Sequence, residues 1–293
     1  MKNNLVCLAP GICIFLLSSC FSTTPKYLFA PNSTNLLELK NKGDLKAAVN
    51  YSSTSHPNRI LEENSSGRQR SNGVDLQTAF AISNNIAVKL DGFTKRETDR
   101  SINTVNNPYR YFLKYKRSGA EISVGYYKFF GDNKQVALNI FAGVGAGKTS
   151  FTGTYRLDSI NNYFYNASHT KLFLVPSVRF NFTENYSLCL GYKITSVDFY
   201  NINTNDVGLT KGLYKSFADE KSVYGDFVIE NEFGFKKIQG FKFHIQFGVS
   251  KLFTYFDYID DVGASVINEQ YQYNNRFASI GLVADLKSLF KKK

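Results

Sequence analysis

The sequence predicts an all-β fold: an antiparallel transmembrane β-barrel of about ten strands (eight to twelve), with short turns at one end and long loops at the other. Three observations carry this. Apolar and polar residues alternate with period two through runs of 8–14 residues. Such runs exceed the usual soluble strand and suit the roughly 9–11 residues a tilted strand needs to cross a bilayer. The connections between the runs alternate sharply in length. Beyond the first 20 residues, no apolar run is long enough for a transmembrane helix.

The chain opens with "MKNN" and then "LVCLAPGICIFLL", a basic start and an apolar stretch too short to span a bilayer. Residues 1–19 therefore read as a secretory signal peptide. The stretch ends in Leu17-Ser18-Ser19-Cys20, which resembles a bacterial lipobox. That resemblance implies cleavage before Cys20, lipid on its thiol and acylation of its amine, making the protein a lipoprotein. Cys7 and Cys13 leave with the signal, so Cys189 is the one thiol left over. No intramolecular disulfide or cysteine zinc site is then available. Residues 20–42 form a polar, Pro-containing tether. It lacks the acidic run that resembles the surface-export signal of Bacteroidota lipoproteins, which implies an anchor on the periplasmic side of the outer membrane.

The barrel is expected over residues 43–290, with strands near 45–55, 73–82, 86–95, 118–130, 135–150, 169–182, 186–199, 223–236, 241–253 and 273–287. "GVDLQTAFA" sets Val74, Leu76, Thr78 and Phe80 against Asp75, Gln77 and Ala79. "FKFHIQFGVS" sets Phe241, Phe243, Ile245 and Phe247 against Lys242, His244 and Gln246. Short turns are "SNN", "GDNK", "TEN" and "KIQG"; long loops lie near 56–72, 96–117, 151–168, 200–222 and 254–272, with 109–116 open to being an extra edge or a strand extension. An even strand count starting from a periplasmic anchor puts every short turn in the periplasm and every long loop outside. The main structural alternative is a soluble lipoprotein with a large β-sandwich, which the outward Phe row at 241–247 argues against.

The "AFAISNNIAVKLDGF" hairpin is the most characteristic piece of a chain that, from about Gly43 to Phe290, resembles the small outer-membrane β-barrel proteins of Bacteroidota. Phe290 resembles the C-terminal aromatic of barrels handed to the barrel-assembly machinery, which the resemblance makes a partner. The trailing lysines depart from that pattern. The likeness is one of architecture and implies no particular activity.

"AGVGAGKT" within residues 139–151 reads loosely as a nucleotide-binding loop. Such a loop needs a helix after it, whose N-terminal amides hold the phosphate. Here "SFTGTYRLDS" follows, without helical periodicity, and strand alternation runs straight through the motif. Gly143, Gly145 and Gly147 fall on the lumen face of one strand, where a missing side chain makes room for bulky neighbours.

The same register points Asp75, Lys89, Asp91, Glu121, Arg179, Lys193, Glu230, Glu232, Lys242, His244 and Asp285 into the lumen. Charges in so narrow an interior must pair or be hydrated. A salt-bridge network filling the barrel is the first expectation, and a narrow polar pore the second. Asn231 shares the parity of the lipid-facing residues, so a bulge or register slip is expected near "IENEF".

Function is less legible. A rim hydrolase would need a His with a Ser or carboxylate near the outer rim. His56 and His169 are candidates, but Ser55 and Ser168, adjacent along the strand, point to the opposite face. The net charge of +11 calls for an acidic partner. Lys95, Arg96, Arg100, Arg110, Lys114, Lys116 and Arg117 concentrate it in one loop. The phosphates of lipopolysaccharide and the outer-membrane lipid surface satisfy this without nucleic acid. The expectation is a non-catalytic structural or surface-interaction role without cofactor or metal, its external ligand unknown.

Overall fold

The computed structural model describes residues 37–55, 68–100, 111–131, 133–155, 162–205, 221–235, 238–253, 258–259, 266–267 and 274–290. The proposed signal peptide and Cys20 lie outside these residues.

Ten strands close into one antiparallel barrel. They are β1 (Leu45–Ser55), β2 (Arg68–Ala81), β3 (Ile86–Arg100), β4 (Tyr111–Phe130), β5 (Val136–Tyr155), β6 (Asn162–Thr183), β7 (Tyr186–Thr204), β8 (Ser222–Phe235), β9 (Ile238–Leu252) and β12 (Asn274–Asp285). Neighbours in sequence pair in turn, and β12 closes on both β9 and β1. A separate two-residue ladder, β10 (Tyr258–Ile259) with β11 (Val266–Ile267), lies in the last long connection. The hydrogen-bonded rows climb around the ring with a stagger of about twelve residues, which tilts the strands and sets the lumen width.

The alternation places large apolar side chains on the outside. Leu76, Leu90, Ile122, Val144, Leu172 and Ile280 are all roughly half exposed there. The buried polar residues, among them Lys89, Glu121, Arg179 and Glu230, point inward. This inverts a soluble protein and requires lipid as the outer solvent. At the turn end, Gly131 adopts a φ of +82° and the Lys134 amide donates to its carbonyl. In the β2–β3 turn, the Ser83 hydroxyl accepts from the Asn85 and Ile86 amides.

Strand existence and order match the alternation, but the loop ends differ. Strands β4 to β6 run 20–22 residues, far past what a bilayer crossing needs. Residues 111–117, within the long loop near 96–117 and partly open to being a strand extension, extend β4: 112–117 pair with both neighbours and Tyr111 with β5. Above the apolar belt the outward face is polar as well, with Arg96, Lys114, Lys116 and Lys148 exposed, so the hydrophobic alternation that marks a strand fades while the ladder continues. Within "IENEF" β8 pairs in continuous register with both β7 and β9, and the expected slip lies just beyond it, where the β8–β9 register shifts between Gly234 and Phe235. Asn231 is half-buried near the turn end, where its side-chain oxygen accepts from the Tyr186 hydroxyl at 3.2 Å. The last strand stops at Asp285, and α1 (Leu286–Phe290) follows, so Phe290 belongs to a helix and not to a terminal strand.

Candidate functional site: the charged lumen and its mouth

Near the turn end the lumen is organised around Arg179 of β6. Its guanidinium donates to Ser187 at 2.6 Å and to Glu230 at 3.0 Å, and lies 3.3 Å from Glu232. Lys242 donates to Glu232. Gln246 donates to the other Glu230 oxygen at 3.4 Å and accepts from Ser279. The planar fork of Arg179 serves carboxylates on a neighbouring hairpin at once, which a point-charge Lys could not do.

At mid-height Glu121 of β4 accepts from Lys193 at 2.8 and 3.0 Å and pairs with Lys171. The two ammonium groups lie over aromatic faces, Lys193 over Phe173 at 4.5 Å and Lys171 over Phe93 at 4.8 Å. Lys89 sits 3.9 Å from the Phe141 ring centroid. Gly143, Gly145 and Gly147 face this layer: a Cβ on Gly145 would stand 2.7 Å from Lys171 Cε, and one on Gly147 2.7 Å from the His169 ring. The glycines of the nucleotide-like motif are therefore clearance for β6 side chains. Toward the loop end, Arg117 pairs with Glu97 at 2.9 Å beneath a run of rings, Tyr115, Phe151 and Tyr165, spaced 5.6 and 5.8 Å apart.

The N-terminal residues complete the turn end. Leu37, Glu38 and Leu39 are each only 4% exposed, and the two leucines join a buried cluster with Ala48, Ala79, Tyr127 and Val283. The segment crosses the mouth. Gly43 donates to the Ala81 carbonyl, the Lys42 amide to Asn84, and Lys134 to the Lys40 carbonyl. Asn181 donates to Glu38 at 2.7 Å. Burial alone would raise the Glu38 pKa, but the charges of Arg179, Lys46, Lys40 and Lys242 outweigh it and hold the carboxyl below its ordinary value. Asp44 is likewise held low: burial opposes, and the Lys40 amide, Lys287 and the Asn41 amide prevail. Lys287 reaches Asp44 at 3.0 Å, tying α1 to the segment.

Of the eleven residues expected inside, Asp75, Lys89, Glu121, Arg179, Lys193, Glu230, Glu232 and His244 are buried in the lumen, and Asp91 is half-buried there. Lys242 lies half-buried at the mouth. Asp285 caps α1, accepting from the Ser288 amide at 3.1 Å. The sequence reading missed Lys171 and Asp226, which share the inward parity of Arg179 and Glu230 on their strands, and Lys46 on β1, where it named no residue. It also placed Lys95 and Arg117 in an external loop, whereas both are buried on inward positions of the strand extensions. His169 is a second correction. It lies inside the barrel, 2% exposed, edge-on to Phe199 at 5.7 Å, with neither ring nitrogen hydrogen-bonded. His56 falls outside the described residues. Among the described residues, no group of three or more His, Cys, Asp and Glu is placed to hold a metal ion.

No protein-family model and no curated protein matches the sequence. Solved structures do match. The transport unit of the autotransporter AIDA-I from Escherichia coli aligns with a TM-score of 0.51 at 10% identity, over 86% of this chain and 93% of that one. The fold is that of outer-membrane β-barrels. The outer membrane protease OmpT from Escherichia coli aligns at 0.45 and 11% identity, over 84% and 98% of the two chains. The outer membrane protein OprG from Pseudomonas aeruginosa aligns at 0.36 and 8%, over 84% and 96%. Identities this low carry the architecture and no activity.

Proposed function

We propose that this protein is a lipid-anchored outer-membrane barrel that neither conducts nor catalyses, and that it acts through its long loops in envelope structure or surface interaction. One observation carries the reading: the charged lumen is filled by its own side chains. Arg179, Lys193, Glu230, Glu232 and His244 are each at most 2% exposed, and Leu37–Leu39 lie across the mouth. A water-filled pore leaves lumen charges hydrated, whereas here Arg179 pairs with Glu230 and Glu232, and Lys193 with Glu121.

The anchor is consistent with the mouth. From Cys20 the chain to Leu37 spans at most roughly 60 Å, enough to hold lipid in the periplasmic leaflet beside the turn end. The loop end then faces the exterior, where basic loop residues meet lipopolysaccharide. His169 is positioned poorly for rim hydrolysis, being enclosed by the barrel wall. The test is single-channel recording of the folded protein in a planar bilayer, with a heat-modifiable gel shift to confirm the barrel. Silence is expected. Discrete, salt-dependent steps would replace this reading with that of a narrow channel for small polar solutes.

A further inference from the structure

The outer wall over β3 to β7 carries a groove of unusual composition. Two adjoining hollows of about 730 and 720 Å³ share Ile122, Val144, Leu172 and Ser196. Their floor includes Ala120, Ala142 and Ala146, small outward residues between half-exposed Leu90, Ile122 and Leu172. The lower end is mostly apolar, around Val88 and Val124. The upper end, toward the loops, is polar: Thr170, Ser196, Asp198 and Lys221.

Beside that polar end stand cations on three neighbouring strands. Arg96 of β3 is directly opposite Lys116 of β4, both outward and exposed. Lys148 of β5 pairs with Ser118 and so lies diagonal to Lys116, with Lys114 on the same face one pair above. Like charges directly opposite on one sheet face repel. Among the described residues, Arg96, Lys116 and Lys148 make no ion pair; the acids lining the groove are Asp198 and Glu121, and Glu121 is held by Lys171 and Lys193. A cluster so arranged is stabilised by an external anion. Its position fixes the ligand's shape, a phosphate at the rim with acyl chains reaching down the wall.

We propose that this groove is a binding site for a phosphorylated glycolipid of the outer leaflet, of the lipid A class, with its phosphates on Arg96, Lys116 and Lys148 and an acyl chain along Ala146 and Ala142. The inference rests on the loop end facing outward, as in the proposed function. Small residues on the wall let the chain approach the sheet backbone, and the larger residues flanking them fix its course.

The experiment measures binding of bisphosphorylated lipid A to the detergent-purified barrel by native mass spectrometry, with the thermal midpoint of heat modifiability as second readout. Three variants are compared: Arg96→Gln/Lys116→Gln/Lys148→Gln, Ala146→Phe, and Lys128→Gln/Lys251→Gln as a control at other exterior positions. The triple variant is expected to bind on the order of a hundredfold more weakly, and Ala146→Phe to lose affinity with the cations intact. The control should match wild type, and dephosphorylated lipid A should bind wild type no better than lipid A binds the triple variant. Equal binding by wild type and triple variant overturns the proposal, as does equal loss in the control. Preference for phosphatidylglycerol over lipid A also overturns it. Channel recordings bear on the proposed function separately, since a conducting barrel could still hold lipid on its wall.

Discussion

Asn181 of β6 donates a 2.7 Å hydrogen bond to Glu38, joining residues 143 positions apart. Through it, a segment outside the barrel strands becomes part of the barrel's interior. Seating Leu37 and Leu39 removes apolar surface from water, and Glu38 joins the cations of the mouth without an unpaired charge.

Unseating that segment should open the turn end. A Leu37→Asp/Leu39→Asp double variant places two carboxylates in an apolar cluster, at a cost of several kcal/mol unless the segment leaves. Small conductance steps, absent from wild type, are expected in planar bilayers. Continued silence would assign closure to the side-chain network alone.

Acid should loosen the same contact. Glu38 and Asp44 are both more acidic in the folded protein than their ordinary values of 4.5 and 3.8. Their contribution to seating is present above those ordinary values and is lost as pH falls through the lower folded ones. Protease access to the N-terminal segment should therefore rise below about pH 4. In Glu38→Gln the remaining pH dependence should be that of Asp44.

Glu121 neutralises two buried lysines, Lys171 and Lys193. Glu121→Leu should destabilise the barrel by about 3–5 kcal/mol, read as the urea midpoint of the gel shift, because it strands both charges. Adding Lys171→Met and Lys193→Met should recover much of the loss. If the single variant unfolds like wild type, water reaches the lumen.

The glycine-rich stretch should respond as a strand. Gly145→Val brings a Cβ to within 2.7 Å of Lys171 Cε and should cost about 1–3 kcal/mol. Lys148→Ala should leave folding unchanged and abolish no nucleotide binding, since none is expected; ATP protection of the wild type against unfolding would contradict this.

Cys189 is fully buried. In a chain with Cys7, Cys13 and Cys20 replaced by Ser, a water-soluble maleimide should label it only after unfolding. Rapid native labelling would reveal an open lumen.

Much of this was legible locally. Period-two alternation in "GVDLQTAFA" and "FKFHIQFGVS" assigned the two barrel faces residue by residue, because one face meets lipid and the other the lumen. The lumen charges followed from parity. Arg117 and Lys95 did not, because the alternation fades above the apolar belt, where the outward face is polar as well. His169 was placed at a rim for the same reason: the end of the visible pattern was taken as the end of the strand, yet β6 begins at Asn162.

The sequence by itself determined the barrel, its strand order, its turn and loop ends and, within the apolar belt, which side chains face inward, since each is a consequence of local periodicity and turn chemistry. Only the tertiary structure decided who pairs with whom inside. Glu121 with Lys171 and Lys193, Arg179 with Glu230 and Glu232, and Leu37–Leu39 with the mouth are contacts across the ring. They depend on the stagger of the closed sheet, which brings residues from strands distant in sequence to one height, and no local pattern encodes that sum.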